Sequence, residues 1–499
     1  MTSRINFLAL AAICALLVAT GCKKNTTETK DATPEFNRAG SSYLDSRAVP
    51  SLTATVPNVI SSALTLTNDR VWLIDGPTFV VNNATLTIQP GTFIKGRKAS
   101  TSGNPSFLLS AKGAKIIADG TIDAPIVFTT DQPVCSRGRG DWGGVVLLGS
   151  APINVAPTVI IEGIAASYLP SSSFLSYPAS IQYGSNGGAN DASVNADAAS
   201  ASTLRNVRIE FAGDVLEADN ELNGLTLGGV GSATILENIQ VSYGADDAFE
   251  FFGGSVNAKN LIAYGCDDDD FDFDNGYQGA IQFAAGIKLP CAGGYSTNPN
   301  GIECNNNTNN ALTEGNRPTH PVLSNLTLIG HSATPGPIGS GSAGVGALFR
   351  QTTEFTFVNS LVGGFATGVN YSAATVAPSL FAFDAVHGFT AATNPASGGT
   401  SVDRSTALIT NDYLLLSNPF SITCACGAVA TPDYRYNDDP FSPSPADGLF
   451  SLSGVSVTHP GGALTSFSSV GYAGAFGPAS GPRWDVQNWT SYAPQTNPY

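Results

Sequence analysis

Positive charge is scarce in this sequence. Lys and Arg together number 23 against 39 Asp and Glu, which leaves a formal net charge of −16. Binding nucleic acid takes clusters of Lys and Arg that neutralise phosphates and release counterions. No such cluster occurs, so nucleic acid is excluded as a partner and cations or neutral and basic surfaces are favoured. Also missing is any long stretch with apolar residues at helical spacing, which removes helical bundles and leaves an all-β reading. No G-x-S-x-G elbow, H-E-x-x-H pair or Walker loop is present. The glycine-rich GLTLGGVGSAT from Gly224 leads into a strand pattern, so it lacks the helix N-terminus that would cradle phosphate. The four histidines, at 320, 331, 387 and 459, show no metal-ligand spacing. No apolar run approaches the roughly 20 residues needed to span a bilayer.

At the amino end, Arg4 precedes an apolar run from Ile5 to Val18, followed by Ala19, Thr20, Gly21 and Cys22. This is the layout of a secretory signal. Small residues directly before a cysteine resemble the lipobox of bacterial lipoproteins, which implies removal of residues 1–22 as a signal peptide and a lipid on Cys22. An ordinary signal with an incidental cysteine is the alternative. Residues 23–60 start polar and poor in apolar side chains, as expected of a flexible tether, and a coil of about 20 residues reaches roughly 25 Å. Lys23 in place of Asp after the lipidated position favours the outer membrane. The expectation is an outer-membrane lipoprotein of the cell envelope, held to the membrane by its lipid, with either leaflet open, the cell surface included.

Apart from Cys14 and Cys22, six cysteines remain: Cys135, Cys266, Cys291, Cys304, Cys424 and Cys426. An even number in an exported chain suggests disulfides, and Cys291 with Cys304 would close a short loop. Zinc at Cys424 and Cys426 would need a second ligand pair at a familiar spacing, and there is none.

An internal repeat sets the fold. LRNVRIEFAG from Leu204, LENIQVSYGA from Leu236, AKNLIAYGCD from Ala258, LSNLTLIGHS from Leu323 and FVNSLVGGFA from Phe357 align on Asn206, Asn238, Asn260, Asn325 and Asn359. Each Asn opens a short alternating strand. Val207 and Ile209, Ile239 and Val241, Leu261 and Ala263, and Leu326 and Leu328 form one apolar face, while Arg208, Glu210, Gln240 and Ser242 lie on the other. The step from Asn238 to Asn260 is 22 residues, about one turn of a three-sided parallel coil. Parallel crossovers are right-handed in nearly all cases, so the expected fold is a right-handed parallel β-helix with an asparagine ladder at one corner. Turn preference alone explains one or two such asparagines, not five in register.

Earlier segments carry a compatible pattern of short strands and Gly or Pro turns: LTIQPGTFIKG, GAKIIADGTIDAPIVFTTD and GDWGGVVLLG. Together with NGLTLGGVGSATILENIQVSYGADDAFEFFGG and VGYAGAFG, these phrases resemble a family of secreted or lipid-anchored β-helix proteins of Bacteroidota. The resemblance covers Leu64 to Phe283 densely and returns at Val470 to Gly477. It implies a pectate-lyase-like solenoid and no particular activity, since members of the family are largely of unassigned function.

The solenoid is expected over residues 61–372. Two loop excursions, Leu169 to Thr203 and Pro290 to Pro321, interrupt it, and residues 373–499 are expected as irregular rungs and a cap over the open end of the coil.

The sharpest chemical signal is a run of acids in step with the repeat. Eight positions after the aligned asparagines stand Asp214, Asp246 and Asp268; nine positions after, Asp247 and Asp269; twelve after, Glu250 and Asp272. Neighbouring rungs lie about 4.8 Å apart, where two carboxylates repel by about 3.5 kcal/mol at an effective dielectric near 20. A bound cation, raised pKa values or outward splaying would offset that repulsion. Calcium suits an exported chain and an all-oxygen ligand set. The candidate metal ligands are therefore Asp246, Asp247, Glu250, Asp268, Asp269 and Asp272, with Glu217, Asp219 and Glu221 in an acidic loop nearby. A solvated acidic edge and a pair of catalytic carboxylates are the competing readings. The catalytic one lacks a complete partner set: His331 follows Gly330 but precedes Ser332, Arg350 precedes Gln351, and Arg208 is the nearest lyase base.

Trp142 in Gly-Asp-Trp-Gly-Gly and Tyr243, Tyr264 and Tyr277 near the ridge are candidate recognition aromatics. The expected function is a non-catalytic envelope protein that binds glycan or another envelope component, with calcium on the ridge. A polysaccharide lyase or hydrolase and a structural spacer or adhesin are the alternatives.

Overall fold

Each aligned asparagine turns out to be a corner. The strand Thr203–Glu210 runs through Asn206 and changes direction there: Thr203–Arg205 pairs in parallel with Ile117–Asp119, while Val207–Ile209 pairs with Ile126–Phe128. Strands before and after the corner belong to two faces of a coil, and a third face carries strands such as Leu225–Gly228, Phe249–Phe252 and Phe271–Asp274. Every pairing between coils is parallel, and the architecture is a right-handed parallel β-helix. The computed structural model describes residues 47–186, 198–217, 220–289, 294–307, 317–330, 344–374 and 379–395. Shorter stretches are 402–403, 416–418, 433–436, 458–459, 462–463, 467–468, 470–477 and 483–499. The expected signal peptide with Cys22, and Cys291, lie outside the described residues.

Alternation places one side of each strand inside. Val207, Ile209, Ile239, Val241, Leu261, Ala263, Leu326 and Leu328 share a single core with Phe249, Phe251, Phe271 and Phe273 from the third face. Like stacks on like: Phe249 and Phe271 lie 5.3 Å apart and Phe251 and Phe273 5.1 Å, ring centroid to centroid. Offset stacking of this kind adds to the burial of large apolar area.

The corner demands a left-handed backbone. All five asparagines have φ between +50° and +59°, a region Asn tolerates far better than other residues with a side chain. The amides then form the expected ladder: Asn260 Nδ2 donates to Asn238 Oδ1 at 2.8 Å, Asn238 Nδ2 to Asn206 Oδ1 at 2.9 Å, and Asn206 Nδ2 to the carbonyl of Gly120 at 2.8 Å. A coil missed in the sequence, Ala280–Ile287, then puts Phe283 at the corner with φ +61°. Gln282 Nε2 bridges that gap by donating to Asn325 Oδ1 at 3.1 Å.

Several boundaries differ from expectation. Parallel pairing starts at Thr53, inside the proposed tether, and continues past residue 372 through Ala385–Asn394. The first excursion begins directly after Leu148, and Ile153, Ile161, Ile164, Ile181 and Tyr183 pack on the outer side of the third face. Pro290–Pro321 is not all loop, because Ile302–Cys304 is a regular strand paired with Phe271–Phe273.

The described parts of the C-terminal region lie along the flank of the coil. Gly474 N–H donates to the carbonyl of Asn359, and Gln282 exchanges hydrogen bonds with Ser468. Gln240 exchanges a pair of bonds with Ser491, and Tyr499 donates to Glu210 and packs on Phe93. Residues 467–468, 470–477 and 483–499 thus form a strap from late coils back to early ones. Trp489, Tyr492, Ala473 and Phe476 bury Ile262, Tyr264, Ile287 and Ile329 of the sheet beneath.

Candidate metal centre

The acids lie at the corner between the strands that follow the asparagines, called here the first face, and the third face. Asp247 Oδ1 accepts the N–H of Asp269 at 2.7 Å, Asp269 Oδ1 accepts that of Asn300 at 2.6 Å, and Asn300 Oδ1 accepts that of Val345 at 3.0 Å. One oxygen of each side chain therefore holds the next coil in place. The other oxygen of each carboxylate is left to the ridge. One strand further on, Glu250 pairs with Asp272 and Asp272 with Glu303, all three on the outward side because Phe249, Phe251, Phe271 and Phe273 take the inward side. Phe252 faces out as well and meets Tyr183 of the excursion.

Three triads result, Asp246/Asp247/Asp268, Asp247/Glu250/Asp272 and Asp269/Asp272/Glu303, each with carboxylate oxygens within 4.8 Å of one another. All six proposed ligands belong to them, so the register inferred from the repeat is the one observed. Glu303 was missed: the long insertion before it broke the period, although the alternation Ile302, Glu303, Cys304 repeats that of Phe271, Asp272, Phe273. The side chains of Asp214, Glu217 and Asp219 lie outside the described residues, whereas the charge of Glu221 bears on Asp246, together with that of Glu162 from the excursion.

Only part of this ridge is covered, since Asp246, Asp268 and Asp272 are half-buried. Glu250 is 3 % exposed, Asp269 4 % and Asp247 7 %. Burial, and then the neighbouring carboxylates, push Asp246, Asp247, Glu250, Asp269 and Asp272 well above the ordinary carboxylate range. Glu250 Oε1 and Asp272 Oδ1 are buried with no hydrogen-bond partner among the described residues. An unpaired buried carboxylate oxygen costs several kcal/mol unless a proton or cation meets it.

Cations nearby are already engaged. Lys288 and Asp270, both fully buried, form an ion pair at 3.2 Å, and Lys288 Nζ also donates to the carbonyl of Asp268. Arg139 donates to Asp267 at 2.5 Å and to the carbonyl of Gly265, with its guanidinium 4.7 Å from the Tyr295 ring. Arg350 pairs with Glu303. Arg208, considered above as a lyase base, is buried beside Glu210 under Tyr499.

The recognition aromatics are corrected outright. Trp142, Tyr243, Tyr264 and Tyr277 are all buried. Trp142 stacks on Phe128 in the core and donates Nε1–H to the carbonyl of Glu210 at 2.8 Å; Tyr277 packs between Phe251 and Phe273. Tyr243 and Tyr264 sit beneath the strap. Large aromatics with a polar tip serve cores as well as surfaces, and spacing alone did not separate the two. The Cys291–Cys304 bridge is also not made, since Cys304 is a free thiol buried in the solenoid core between Phe273 and Phe349 in the pairing register.

A coil of this architecture defines the class of parallel β-helix domains. A family model, described as a pectate-lyase like beta helix domain, matches residues 58–394, and the chain belongs to that family. No curated protein and no solved structure matches the chain.

Proposed function

We propose that this protein is a non-catalytic, calcium-binding β-helix of the bacterial cell envelope that presents its outer surfaces to glycan or another envelope component. One observation carries the calcium reading: Glu250 is buried against Asp247 and Asp272 with an oxygen, Oε1, that has no hydrogen-bond partner among the described residues. Calcium accepts many oxygen ligands at flexible geometry, and exported proteins encounter it at high concentration. The non-catalytic reading rests on the engagement of Lys288, Arg139 and Arg350, which leaves no Lys or Arg unpaired beside the ridge among the described residues. Envelope location and the lipid on Cys22 rest on the pattern from Arg4 to Cys22. For glycan contact, the exposed aromatics among the described residues are Phe174 and Tyr177, 48 % and 47 % exposed on the first excursion, where a ring can stack on a sugar.

Heating the purified protein with and without calcium tests the central claim. A ligand that binds only the folded state raises the unfolding midpoint with its concentration. An unchanged midpoint at millimolar calcium sinks the reading.

The family match supports a second reading, a polysaccharide lyase or hydrolase on the same corner. Incubation with uronic-acid and neutral polysaccharides, followed for unsaturated products and new reducing ends, distinguishes it. Turnover lost in both Asp246→Ala and Asp268→Ala would establish the enzyme.

A further inference from the structure

The corner that carries the acids continues back to the first coils, where hydroxyls and amides take their place. There Val71–Ile74 lies on the first face and Pro77–Val80 on the third, with Asp75 between them. Asp75 fastens the loop of the next coil. Its Oδ1 accepts the N–H of Thr101 at 2.6 Å, and its Oδ2 accepts the Thr101 hydroxyl at 2.5 Å and Arg97 Nη1 at 3.1 Å. Asn58 is held too, with Nδ2 donating to the carbonyls of Asp75 and Pro77 at 3.0 Å each. The short turn Ala166–Tyr168 and the residues after it, part of the first excursion, form the facing wall. Between the two walls runs a groove of about 450 Å³, within the size range of small-ligand sites.

What this groove offers is neutral. The Thr55 and Ser167 hydroxyls, Asn58 Oδ1 and the Asn104 amide line it with no hydrogen-bond partner among the described residues. Tyr168, half-buried with its ring 6.5 Å from that of Phe107, and Pro170 supply apolar contact. The charged side chain of the lining, Asp75, is engaged by Arg97 and Thr101, and among the described residues no Lys or Arg lines the groove. Free donors and acceptors beside an aromatic ring match the hydroxyls and C–H faces of a sugar. An anionic sugar would instead meet Asp75 with no cation to answer it. Resting on the glycan reading above, we infer that this groove binds a neutral glycan and not a uronic-acid chain. The Asn58 and Thr101 bonds fix the groove beforehand, which removes part of the ordering cost of binding.

The test is isothermal titration calorimetry of the purified protein with four probes: cellohexaose, xylohexaose, mannohexaose and hexagalacturonate. At least one neutral probe is expected to bind, and hexagalacturonate is not. Asn104→Ala is expected to weaken the neutral probe about fivefold, as the loss of one hydrogen bond would. Ser167→Trp fills the groove from the facing wall and is expected to abolish binding. Neither side chain bonds to the rest of the described protein, so both variants should fold, and thermal midpoints equal to that of the wild type verify it. Neutral binding that Ser167→Trp leaves unchanged overturns the groove, while the glycan reading stands on Phe174 and Tyr177. Hexagalacturonate bound as tightly as any neutral probe overturns the neutral class. No binding of any of the four overturns the glycan reading itself, and the groove with it.

Discussion

Asn238 shows how much a single corner residue does. Its backbone is left-handed, φ +56°, and its amide both donates to Asn206 and accepts from Asn260. Replacing it with Ala removes two hydrogen bonds and places a strained residue in the corner, with an expected loss of about 2–4 kcal/mol in denaturant unfolding. Asn238→Gly recovers the backbone part only, so it is expected to fall between the two. The ladder was readable because only Asn suits both demands. Its interruption was not, since Phe283 keeps the same backbone by packing on Tyr472 and Lys259. Lys288 makes a second case. Lys288→Met strands a buried Asp270 carboxylate and is expected to cost about 3–5 kcal/mol, most of it regained when Asp270→Asn is added. The same buried acid gives stability a pH dependence. Burial raises Asp270 to about 6 from 3.8, despite the help of Lys288. Through that interval the folded, calcium-free chain keeps a proton that the unfolded chain has released. Stability is therefore fullest below about pH 4 and declines as pH rises to about 6, by about 3 kcal/mol for this group. Thermal midpoints of the calcium-stripped protein are expected to fall across this window, with a flatter curve in Asp270→Asn.

Among the elements, the acidic strand pair Phe249–Phe252 and Phe271–Asp274 was the most legible and the strap the least. Inward Phe and outward acid alternate over four residues in both strands, and the aligned asparagines fixed their register. Saturating calcium is expected to oppose the pH effect, since cations favour the ionised ridge; Glu250→Gln should lose most of that gain while folding normally. The strap escaped notice because it has no repeat. A trace of it lay in the outward positions of the first face, where Ile262, Ile287 and Ile329 are apolar although a solvated face would be polar. Tyr492→Ala uncovers that patch, with an expected loss of about 3–5 kcal/mol and stronger binding of a hydrophobic dye. The buried recognition aromatics share this cause. A sequence reveals which residues alternate, but not which outer faces later acquire a cover.

Across the whole molecule, the fold was legible because one period writes the same contacts many times over, and stacking turns each repeat into a core that no single coil could form. Function was less so, because it depends on what lies outside the period: the excursion over the third face, the strap over the first, and the insertion that concealed Glu303. A bare solenoid contacts only nearest neighbours and frays from its ends. Here Tyr499 rests on Phe93 while Gly474 bonds to Asn359, so one stretch of chain spans many coils. A polypeptide delivered amino end first can wind all of those coils before that stretch emerges. Winding and fastening are thereby separated in time, and a chain interrupted late in synthesis would be coiled yet unbuckled, its isoleucine flank open to proteases and to other chains.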